Sequence, residues 1–318
     1  MILITGAAGF IGFHLAQRLL REGYSVIGVD NFNDYYDVSL KVERWKQLTV
    51  HEHFEGVHLS LESLNSLQGL FKRFKIDVVC NLAAQAGVRY SIENPHVYAQ
   101  SNLTGFLNIL EMCRHYSVKR LVYASSSSVY GGNRKVFFSE SDTVDSPVSL
   151  YAASKKANEL MAHTYSHLYD IQTVGVRFFT VYGPWGRPDM AYWTFTKKIL
   201  ADMTIPVFNH GDMKRDFTYI DDIITGIEAA LFTEGLDQYE IFNLGNHRAE
   251  NLMDFVNTLG TALGKKVAIE LLPMQPGDVK ETYADIAKAQ KKLGYSPKTP
   301  ISEGIPRFVE WYTGYFQK

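Results

Sequence analysis

A tyrosine and a lysine four residues apart, Tyr151 and Lys155, have the residue types and spacing that most directly suggest catalysis. On a helix this spacing places both side chains on one face, where the ammonium can favour the phenolate form of the tyrosine. A free tyrosine has a pKa of about 10, so a base that works near neutral pH needs a pKa lowered by about three units. Of the nineteen tyrosines, only Tyr151 is followed by a lysine four residues further on. The pair predicts that Tyr151 is a general base in a site that excludes water, where a second positive charge besides that of Lys155 also favours the phenolate.

Three glycines spaced by three, Gly6, Gly9 and Gly12, follow an apolar run at the N-terminus and lead into a helical stretch. Gly6 permits a tight turn, Gly9 lets a pyrophosphate approach the backbone, and Gly12 lets helix and strand pack closely. A second apolar run ends in Asp30, eighteen residues after Gly12. A carboxylate at this point binds the free ribose 2′-hydroxyl of NAD and repels the 2′-phosphate of NADP. The pattern predicts an NAD site, in which the oxidised nicotinamide supplies the second positive charge that favours the phenolate of Tyr151.

Short apolar runs alternate with helical stretches, and these elements must position both groups of residues. The runs are 1–5, 24–30, 54–59, 76–83, 120–125, 171–179 and 241–244. Their apolarity is continuous, which is typical of parallel strands covered by helices on both faces. The sequence therefore predicts an α/β fold with a doubly wound parallel sheet, and ligands are expected beyond the carboxyl ends of its strands.

Composition argues against several classes of function. The 318 residues carry a formal net charge of −2 and no basic block, so nucleic acid is not an expected partner. The N-terminal sequence has neither a signal peptide nor an apolar span, so no membrane association is expected. Cys80 and Cys113 give no disulfide framework, which predicts a cytoplasmic location. No ligand cluster accompanies the run 51–53, His-Glu-His, so a solvated loop and no metal site are predicted.

Further motifs resemble those of the extended short-chain dehydrogenases/reductases that act on nucleotide sugars. The superfamily motifs are the glycine triplet, the run 81–89, the serine tract 125–128 and the Tyr-Lys pair. Segments 177–184, 187–190, 215–219 and 274–279 are similar to those of UDP-glucuronate 4-epimerases in particular. The resemblance implies a Rossmann domain for NAD, formed by residues 1–178 and 216–246. It also implies a smaller C-terminal α/β domain for the UDP-sugar, formed by residues 179–215 and 247–318, and a homodimer joined by two helices of each subunit.

The resemblance also implies roles for individual residues. The implied NAD contacts are Gly6, Gly9, Phe10, Ile11, Gly12, Asp30, Asn31, Leu61, Leu82, Ala83, Ala84, Tyr151 and Lys155. Arg215 is implied at the diphosphate, Asp278 near the uridine ribose, and Arg89 either at the diphosphate or on a dimer helix. Ser60 and Leu61 stand where relatives usually carry Asp-Ile beside the adenine, so this chain departs from the pattern there.

The groups present predict epimerisation at C4 of the sugar. Tyr151 takes the proton of the 4-hydroxyl, with Ser126 hydrogen-bonded to the same oxygen, while the hydride passes to NAD. The resemblance further implies that Lys155 bonds the nicotinamide ribose. With a glucuronate, the 4-keto sugar is a β-keto acid that loses carbon dioxide when its carboxylate bond aligns with the carbonyl. Ser127, Ser128, Thr180 and Arg187 are predicted to bind this carboxylate and to hold it out of alignment, and we call these four residues the carboxylate grip. A structural role for Arg187 and a backbone-capping role for Ser126 remain as alternatives.

The predicted substrates are UDP-glucuronate and UDP-galacturonate, with three alternatives left open. These are a 4-epimerase of a neutral or N-acetylated UDP-hexose, a decarboxylating UDP-xylose-type synthase, and a catalytically idle NAD-binding regulatory protein. Related 4,6-dehydratases carry Asp and Glu at the two positions after the catalytic hydroxyl, whereas this chain has Ser127 and Ser128, so water elimination lacks its acid and base. The presence of Ser126, Tyr151 and Lys155 together argues against an idle protein.

Overall fold

The computed structural model describes residues 1–133, 135, 137–275 and 280–316, and a parallel sheet of seven strands organises the chain. In chain order the strands are β1 (Ile2–Thr5), β2 (Val26–Asp30), β3 (Phe54–His58), β4 (Val78–Asn81), β5 (Arg120–Ser126), β6 (Gln172–Phe178), β7 (Thr180–Tyr182), β8 (Ile205–Val207), β9 (Lys214–Arg215), β10 (Phe217–Tyr219), β11 (Tyr239–Leu244), β12 (Glu250–Asn251) and β13 (Ile269–Leu271). The main sheet has the order β11-β6-β5-β4-β1-β2-β3, and every neighbouring pair is parallel. Its direction of winding reverses between β1 and β4, which confirms the predicted doubly wound fold.

Helices cover both faces of this sheet. In chain order the α-helices of the described residues are α1 (Phe10–Arg21), α2 (Val38–Thr49), α3 (Leu64–Arg73), α4 (Tyr90–Glu93), α5 (Pro95–Tyr98), α6 (Gly105–His115), α7 (Leu150–Tyr169), α8 (Ala191–Leu200), α9 (Ile220–Phe232), α10 (Leu252–Leu263), α11 (Ala287–Leu293) and α12 (Ile301–Phe316). A π-helical turn, Ala99–Thr104, joins α5 to α6. Within the described residues, no helix combines the length and the apolarity needed to cross a bilayer.

Burial explains why the strands read as continuous apolar runs. All four residues of β1 are buried. Ile2 and Ile4 belong to one hydrophobic core, which Leu15 of α1 shares, while Leu3 belongs to the core on the opposite face with Ile109 of α6. Because both faces of the strand meet helices, the sequence shows no alternation of polar and apolar residues.

Three small sheets follow the sixth strand of the main sheet. β7 pairs in parallel with β10 and β8 with β13, whereas β9 and β12 are antiparallel. Aromatic side chains join α8 to α12, with the rings of Trp193 and Tyr312 centred 5.2 Å apart. Trp185, in the loop before α8, lies 5.8 Å from Phe13 of α1. This contact sets the loop against the helix that begins at the glycine turn.

Candidate active site

A cavity of about 450 Å³ runs along the carboxyl ends of the main-sheet strands, where the fold predicts a ligand. The predicted site residues that line it are Gly6, Gly9, Phe10, Ile11, Gly12, Asp30, Asn31, Leu61, Leu82, Ala83, Ala84, Ser126, Ser127, Ser128, Tyr151, Lys155, Thr180, Arg187 and Arg215. Of the other two, Arg89 is described outside this lining, and Asp278 lies outside the described residues. One cavity thus brings together residues that are spread over most of the chain.

The glycine turn leaves room for a pyrophosphate. Gly6 has a φ of +72°, and a Cβ there would lie 2.9 Å from the backbone nitrogen of Ala83. A Cβ on Gly12 would lie 2.1 Å from the carbonyl oxygen of Gly6, so this close approach requires glycine. The helix α1 begins at Phe10, and no side chain caps its N-terminal amides. These amides and the absent Cβ atoms fit the pyrophosphate of a dinucleotide.

Asp30 is held in place beside this turn. Its Oδ2 accepts a hydrogen bond from the Ala8 amide at 3.0 Å, and its Oδ1 accepts one from the Phe32 amide at 2.8 Å. Lys41, which the sequence reasoning missed, also lines the cavity, and its Nζ donates to the Asn33 side chain at 2.6 Å. Burial lowers the pKa of Lys41, and the charge of Asp30 opposes that shift. A fixed carboxylate and a buried ammonium therefore stand where a ribose is predicted.

The adenine end contains a carboxylate that was not expected. The hydroxyls of Ser60 and Ser101 both donate to Glu62, which lines the cavity next to Leu61. Burial raises the pKa of Glu62, but these hydrogen bonds outweigh it, and the pKa lies below the usual value. Glu62 thus places an ionised carboxylate two positions after Ser60, where relatives usually carry aspartate.

The predicted catalytic residues lie on two elements, β5 and α7, that both line the cavity. Ser126 ends β5, and Ser149 caps α7 by accepting a hydrogen bond from the Ala152 amide at 3.1 Å. This cap places Tyr151 in the first turn of α7 and Lys155 one turn later. Burial raises the pKa of Tyr151, whereas a hydrogen bond with Ser126 and the charge of Arg187 lower it.

The Lys155 ammonium is bound to a backbone carbonyl of β5, and its predicted effect on the Tyr151 phenol stays a prediction. Its Nζ donates to the backbone oxygen of Ala124 at 2.9 Å, and burial lowers its pKa to about 8. The positive side chain that lowers the pKa of Tyr151 is Arg187. The helical spacing fixes which face Lys155 occupies, and the Ala124 carbonyl within β5 binds its ammonium.

Asn102 connects the segment after β4 to α7, and sequence reasoning missed it. Its Nδ2 donates to Ser154 Oγ at 2.9 Å and to the Gln85 oxygen at 3.0 Å, while its Oδ1 accepts from the Gln85 amide at 2.8 Å. Its backbone oxygen accepts from Asn158 at 2.7 Å. Asn102 lies in the π-helical turn, a feature frequent at functional sites that the sequence pattern does not reveal.

A buried ion pair supports the end of β5. Arg177 donates to both carboxylate oxygens of Glu159, at 2.8 and 2.9 Å, and Ser125 donates to the same carboxylate at 2.7 Å. One residue later, Ser126 Oγ accepts from the amide and the hydroxyl of Ser128, at 3.2 and 2.7 Å. Ser126 therefore caps the turn after β5, which is the alternative considered for it, and it also hydrogen-bonds with the Tyr151 phenol. Its role at the sugar oxygen stays a prediction.

The sugar end of the cavity contains Thr180 and Arg187 from the predicted grip. Thr180 begins β7, and its amide donates to the Asp216 oxygen at 3.0 Å. Arg187 lines the cavity, but its guanidinium is paired with Asp189 at 2.5 Å. Tyr35 donates to the same carboxylate at 3.1 Å. Sequence reasoning noted Asp189 as part of a motif but did not identify it as the partner of Arg187.

At the nucleotide end, Arg215 lies on β9 and donates to the backbone oxygens of Lys214 and Lys280, at 2.9 and 3.1 Å. Arg89 is exposed, and its guanidinium lies 5.7 Å from the ring centre of Phe208. The roles of Arg89, Arg215 and Asp278 toward a nucleotide stay predictions.

Known proteins match this chain over nearly its whole length. The family model described as GDP-mannose 4,6 dehydratase matches residues 3–308. Protein CapI of Staphylococcus aureus is 51% identical, over 100% of this chain and 99% of its own. UDP-glucuronate 4-epimerase 4 of Arabidopsis thaliana is 49% identical, over 99% of this chain and 76% of its own.

A solved structure gives the same result. UDP-glucuronic acid 4-epimerase of Bacillus cereus, in complex with UDP-glucuronic acid and NAD, superposes with a TM-score of 0.93. The two chains are 36% identical, and the match covers 99% of each. The chain therefore belongs to the GDP-mannose 4,6-dehydratase family of extended short-chain dehydrogenases/reductases, and within it to the nucleotide-sugar epimerases.

Proposed function

We propose that the protein is an NAD-dependent UDP-glucuronate 4-epimerase, which interconverts UDP-glucuronate and UDP-galacturonate through a 4-keto intermediate. One observation carries the proposal. A single cavity joins a glycine turn with an acidic ribose site to the Ser126, Tyr151 and Lys155 group, and it ends at a guanidinium, Arg187, beside a threonine. The solved relative that binds UDP-glucuronic acid and NAD supports the same substrate and cofactor.

Bound NAD supplies a hydride acceptor and donor of fixed position for C4 of the sugar. Tyr151 removes the proton of the 4-hydroxyl and returns a proton to the same oxygen after the sugar has turned over. Ser126 holds that oxygen and hydrogen-bonds to the phenol. Burial raises the pKa of Tyr151, so the phenol needs the nearby positive charges before it can act as a base.

A carboxylate on the sugar must be held during the keto stage. Thr180 offers a hydroxyl and Arg187 a guanidinium at the end of the cavity, and both groups suit a carboxylate. Ser127 also lines this region, whereas Ser128 donates its hydroxyl to Ser126 at 2.7 Å. We assign the grip mainly to Thr180 and Arg187.

We also propose which part of the chain binds which ligand, and how two chains assemble. Residues 1–178 and 216–246 hold NAD, and residues 179–215 and 247–318 hold the UDP-sugar. Leu107 of α6 and Leu160 and Leu168 of α7 are exposed, and two adjacent helices with exposed leucines fit a homodimer interface. Cys80 and Cys113 are both buried and unpaired, which fits a reducing compartment, and we place the enzyme in the cytoplasm.

The test is to incubate the protein with NAD and UDP-glucuronate and to follow the sugar by proton NMR. UDP-galacturonate should form in the wild type, and Tyr151→Phe should lower the rate by about 10² to 10⁴-fold, as for the loss of a general base. Tyr116→Phe is the matched control, because its hydroxyl contacts Gln68 outside the cavity, and its rate should equal the wild-type rate. Epimerisation of UDP-glucose but not of UDP-glucuronate would move the assignment to a neutral hexose.

A further inference from the structure

A carboxylate of the protein itself holds Arg187. Its Nε donates to Asp189 Oδ1 at 3.0 Å and its Nη2 to Asp189 Oδ2 at 2.5 Å. This side-on pairing uses one edge of the guanidinium, and Nη1 takes no part in it. In the described chain, Arg187 lines the cavity and Asp189 is not among the lining residues. Asp189 therefore fixes the guanidinium without itself lining the cavity.

Tyr35 holds Asp189 in turn. Its hydroxyl donates to Asp189 Oδ2 at 3.1 Å, and its ring lies 4.8 Å from that of Tyr90. A Cβ added to Gly87 would lie 2.5 Å from the Tyr35 hydroxyl, so the phenol packs directly on that backbone. Tyr35 lies five residues after Asp30, in the segment between β2 and α2. The direction of Arg187 is thus tied to the segment that carries the ribose-binding carboxylate.

The ion pair lies close to the catalytic base. The side chains of Arg187 and Asp189 are only 26% and 28% exposed, so water screens their charges incompletely. Arg187 lowers the pKa of Tyr151, and Asp189 raises it. Asp189 therefore reduces the net positive charge at the sugar end while it fixes the orientation of the guanidinium.

We propose that Asp189, supported by Tyr35, is a positioning residue that fixes Arg187 for an anionic group on C5 of the sugar and so keeps that group attached to the sugar. The inference rests on the proposed function, because it concerns the same reaction. A free arginine can meet a carboxylate from several directions, whereas an arginine held along its Nε edge meets it from one. The ion pair with Asp189 weakens the attraction of Arg187 for the sugar carboxylate, but it fixes the angle at which Arg187 binds that carboxylate.

The consequence concerns the keto stage of the reaction. If the sugar carboxylate rotates into line with the C4 carbonyl, the C5–carboxylate bond breaks and carbon dioxide leaves. The electron pair of that bond passes to C5 and the carbonyl, and a proton from water then takes the vacant place on C5. The products are a UDP-4-ketopentose, carbon dioxide and NADH, because the hydride already removed from C4 is not returned.

The experiment compares Asp189→Asn and Tyr35→Phe with the wild type, each as the NAD-loaded enzyme. UDP-glucuronate labelled at the carboxylate reports carbon dioxide release, and NMR reports epimer formation in the same sample. Affinities for UDP-glucuronate and UDP-glucose are measured by calorimetry. Asp202→Asn is the matched control, since it removes an exposed aspartate that pairs with Lys265 at 2.7 Å away from the cavity.

Asp189→Asn should raise carbon dioxide released per epimer formed by about tenfold or more, as expected when one charge-assisted contact no longer fixes the orientation. The same variant should bind UDP-glucuronate more tightly relative to UDP-glucose, because the negative charge of Asp189 no longer offsets the positive charge of Arg187. Tyr35→Phe, which leaves the ion pair intact, should raise carbon dioxide release by a smaller factor. Asp202→Asn should change neither quantity.

Stronger selectivity for the acid combined with poorer retention of its carboxylate is a result that general structural damage does not produce. Unchanged carbon dioxide release in Asp189→Asn, or equal weakening of both sugars, would overturn the inference. The binding comparison needs no turnover. If the wild type fails to epimerise UDP-glucuronate, the proposed function fails. The ratio of the affinities for UDP-glucuronate and UDP-glucose still tests the placement of Arg187: a higher ratio in Asp189→Asn than in the wild type supports it, and an unchanged ratio overturns it.

Discussion

Arg44 donates a hydrogen bond to the backbone oxygen of Gly186 at 3.0 Å, across 142 residues of sequence. The same guanidinium donates to the Ala8 oxygen at 2.9 Å and to the Trp185 oxygen at 2.5 Å, and Arg44 is 0% exposed. Ala8 belongs to the glycine turn, and Gly186 immediately precedes Arg187. One buried side chain therefore links the predicted pyrophosphate site to the loop that carries the proposed carboxylate grip.

We expect Arg44→Ala to lower the free energy of unfolding by about 3 kcal/mol, because three buried carbonyl groups lose a charged donor. Arg44→Lys should cost less than Arg44→Ala, because its ammonium still donates to some of these carbonyl groups, although it cannot reach all three as a planar guanidinium does. Thermal unfolding and calorimetric NAD binding measure the two effects, and both variants should also bind NAD more weakly.

Arg73→Lys is the control for Arg44, because Arg73 is 62% exposed and forms a surface ion pair with Glu55. It should change the unfolding temperature by no more than about one degree. Wild-type NAD affinity in a folded Arg44→Ala protein would show that the glycine turn does not depend on this link.

The pH dependence of Tyr151 follows from its surroundings. Burial raises the pKa of the phenol, so in the NAD-free protein Tyr151 should remain protonated past pH 10, the usual value for tyrosine. Since Arg187 lowers this pKa, Arg187→Ala should move the ionisation to higher pH, and the positive charge of bound NAD should move it to lower pH. Ultraviolet difference spectra of each protein against its Tyr151→Phe counterpart measure the phenolate.

The kinetic counterpart is a turnover rate that rises with pH as the phenol ionises, because the base form removes the hydroxyl proton. In Arg187→Ala this rise should occur at higher pH than in the wild type. An ionisation of Tyr151 below pH 10 in the NAD-free protein would contradict the dominant effect of burial.

The parts of the site that local patterns encode could be predicted from sequence. The seven parallel strands, the glycine turn and the Tyr151–Lys155 face depend on neighbours a few residues apart, so residue type and spacing suffice. The ammonium of Lys155 meets Ala124, which is 31 residues away, and Arg44 meets Gly186. Such contacts form between segments that are distant in the sequence, so the periodicity of the sequence does not predict them.

The same limit explains the groups that were missed. Asn102 reads as an ordinary helical residue, and only the fold shows that it joins the end of β4 to α7. Asp189 is two residues from Arg187, but the spacing alone does not distinguish an ion pair from two separate side chains. Glu62 shows that a carboxylate can reach the adenine end from a position different from the expected one.

Cofactor preference should depend on Asp30. We expect Asp30→Ala to narrow the preference for NAD over NADP, because a 2′-phosphate no longer meets a carboxylate and the buried ammonium of Lys41 remains nearby. The affinity for NAD should fall as well, since the Ala8 and Phe32 amides lose their acceptors. Calorimetric titration of cofactor-free protein with both dinucleotides measures this.

Asp34→Asn is the matched control for Asp30, because Asp34 also acts on the charge of Lys41 but is exposed and outside the cavity lining. It should leave the ratio of the two affinities within about twofold. Equal binding of both dinucleotides by the wild type would remove Asp30 from cofactor selection.

The carboxylate grip itself is tested by Thr180→Ala and Arg187→Ala. Each should weaken binding of UDP-glucuronate relative to a neutral UDP-hexose, by about tenfold or more for Arg187, because only the acid loses a charge-assisted contact. Calorimetry on the NAD-loaded proteins measures both affinities. Thr313→Ala and Arg307→Ala, on α12 and outside the cavity lining, are the matched controls.

The same two variants should also release carbon dioxide. With its carboxylate free to align with the C4 carbonyl, a measurable fraction of the keto intermediate should decarboxylate, and NADH should accumulate in proportion because the hydride has no ketohexuronate to return to. Arg187→Ala carries a second effect, since the charge of Asp189 near the sugar end is then no longer balanced by its partner and repels the acid. Thr180→Ala leaves that ion pair intact, so it separates loss of the grip from gain of repulsion. If neither variant changes the affinity ratio or the release of carbon dioxide, the acid is held elsewhere, and a neutral UDP-sugar becomes the better substrate for this cavity.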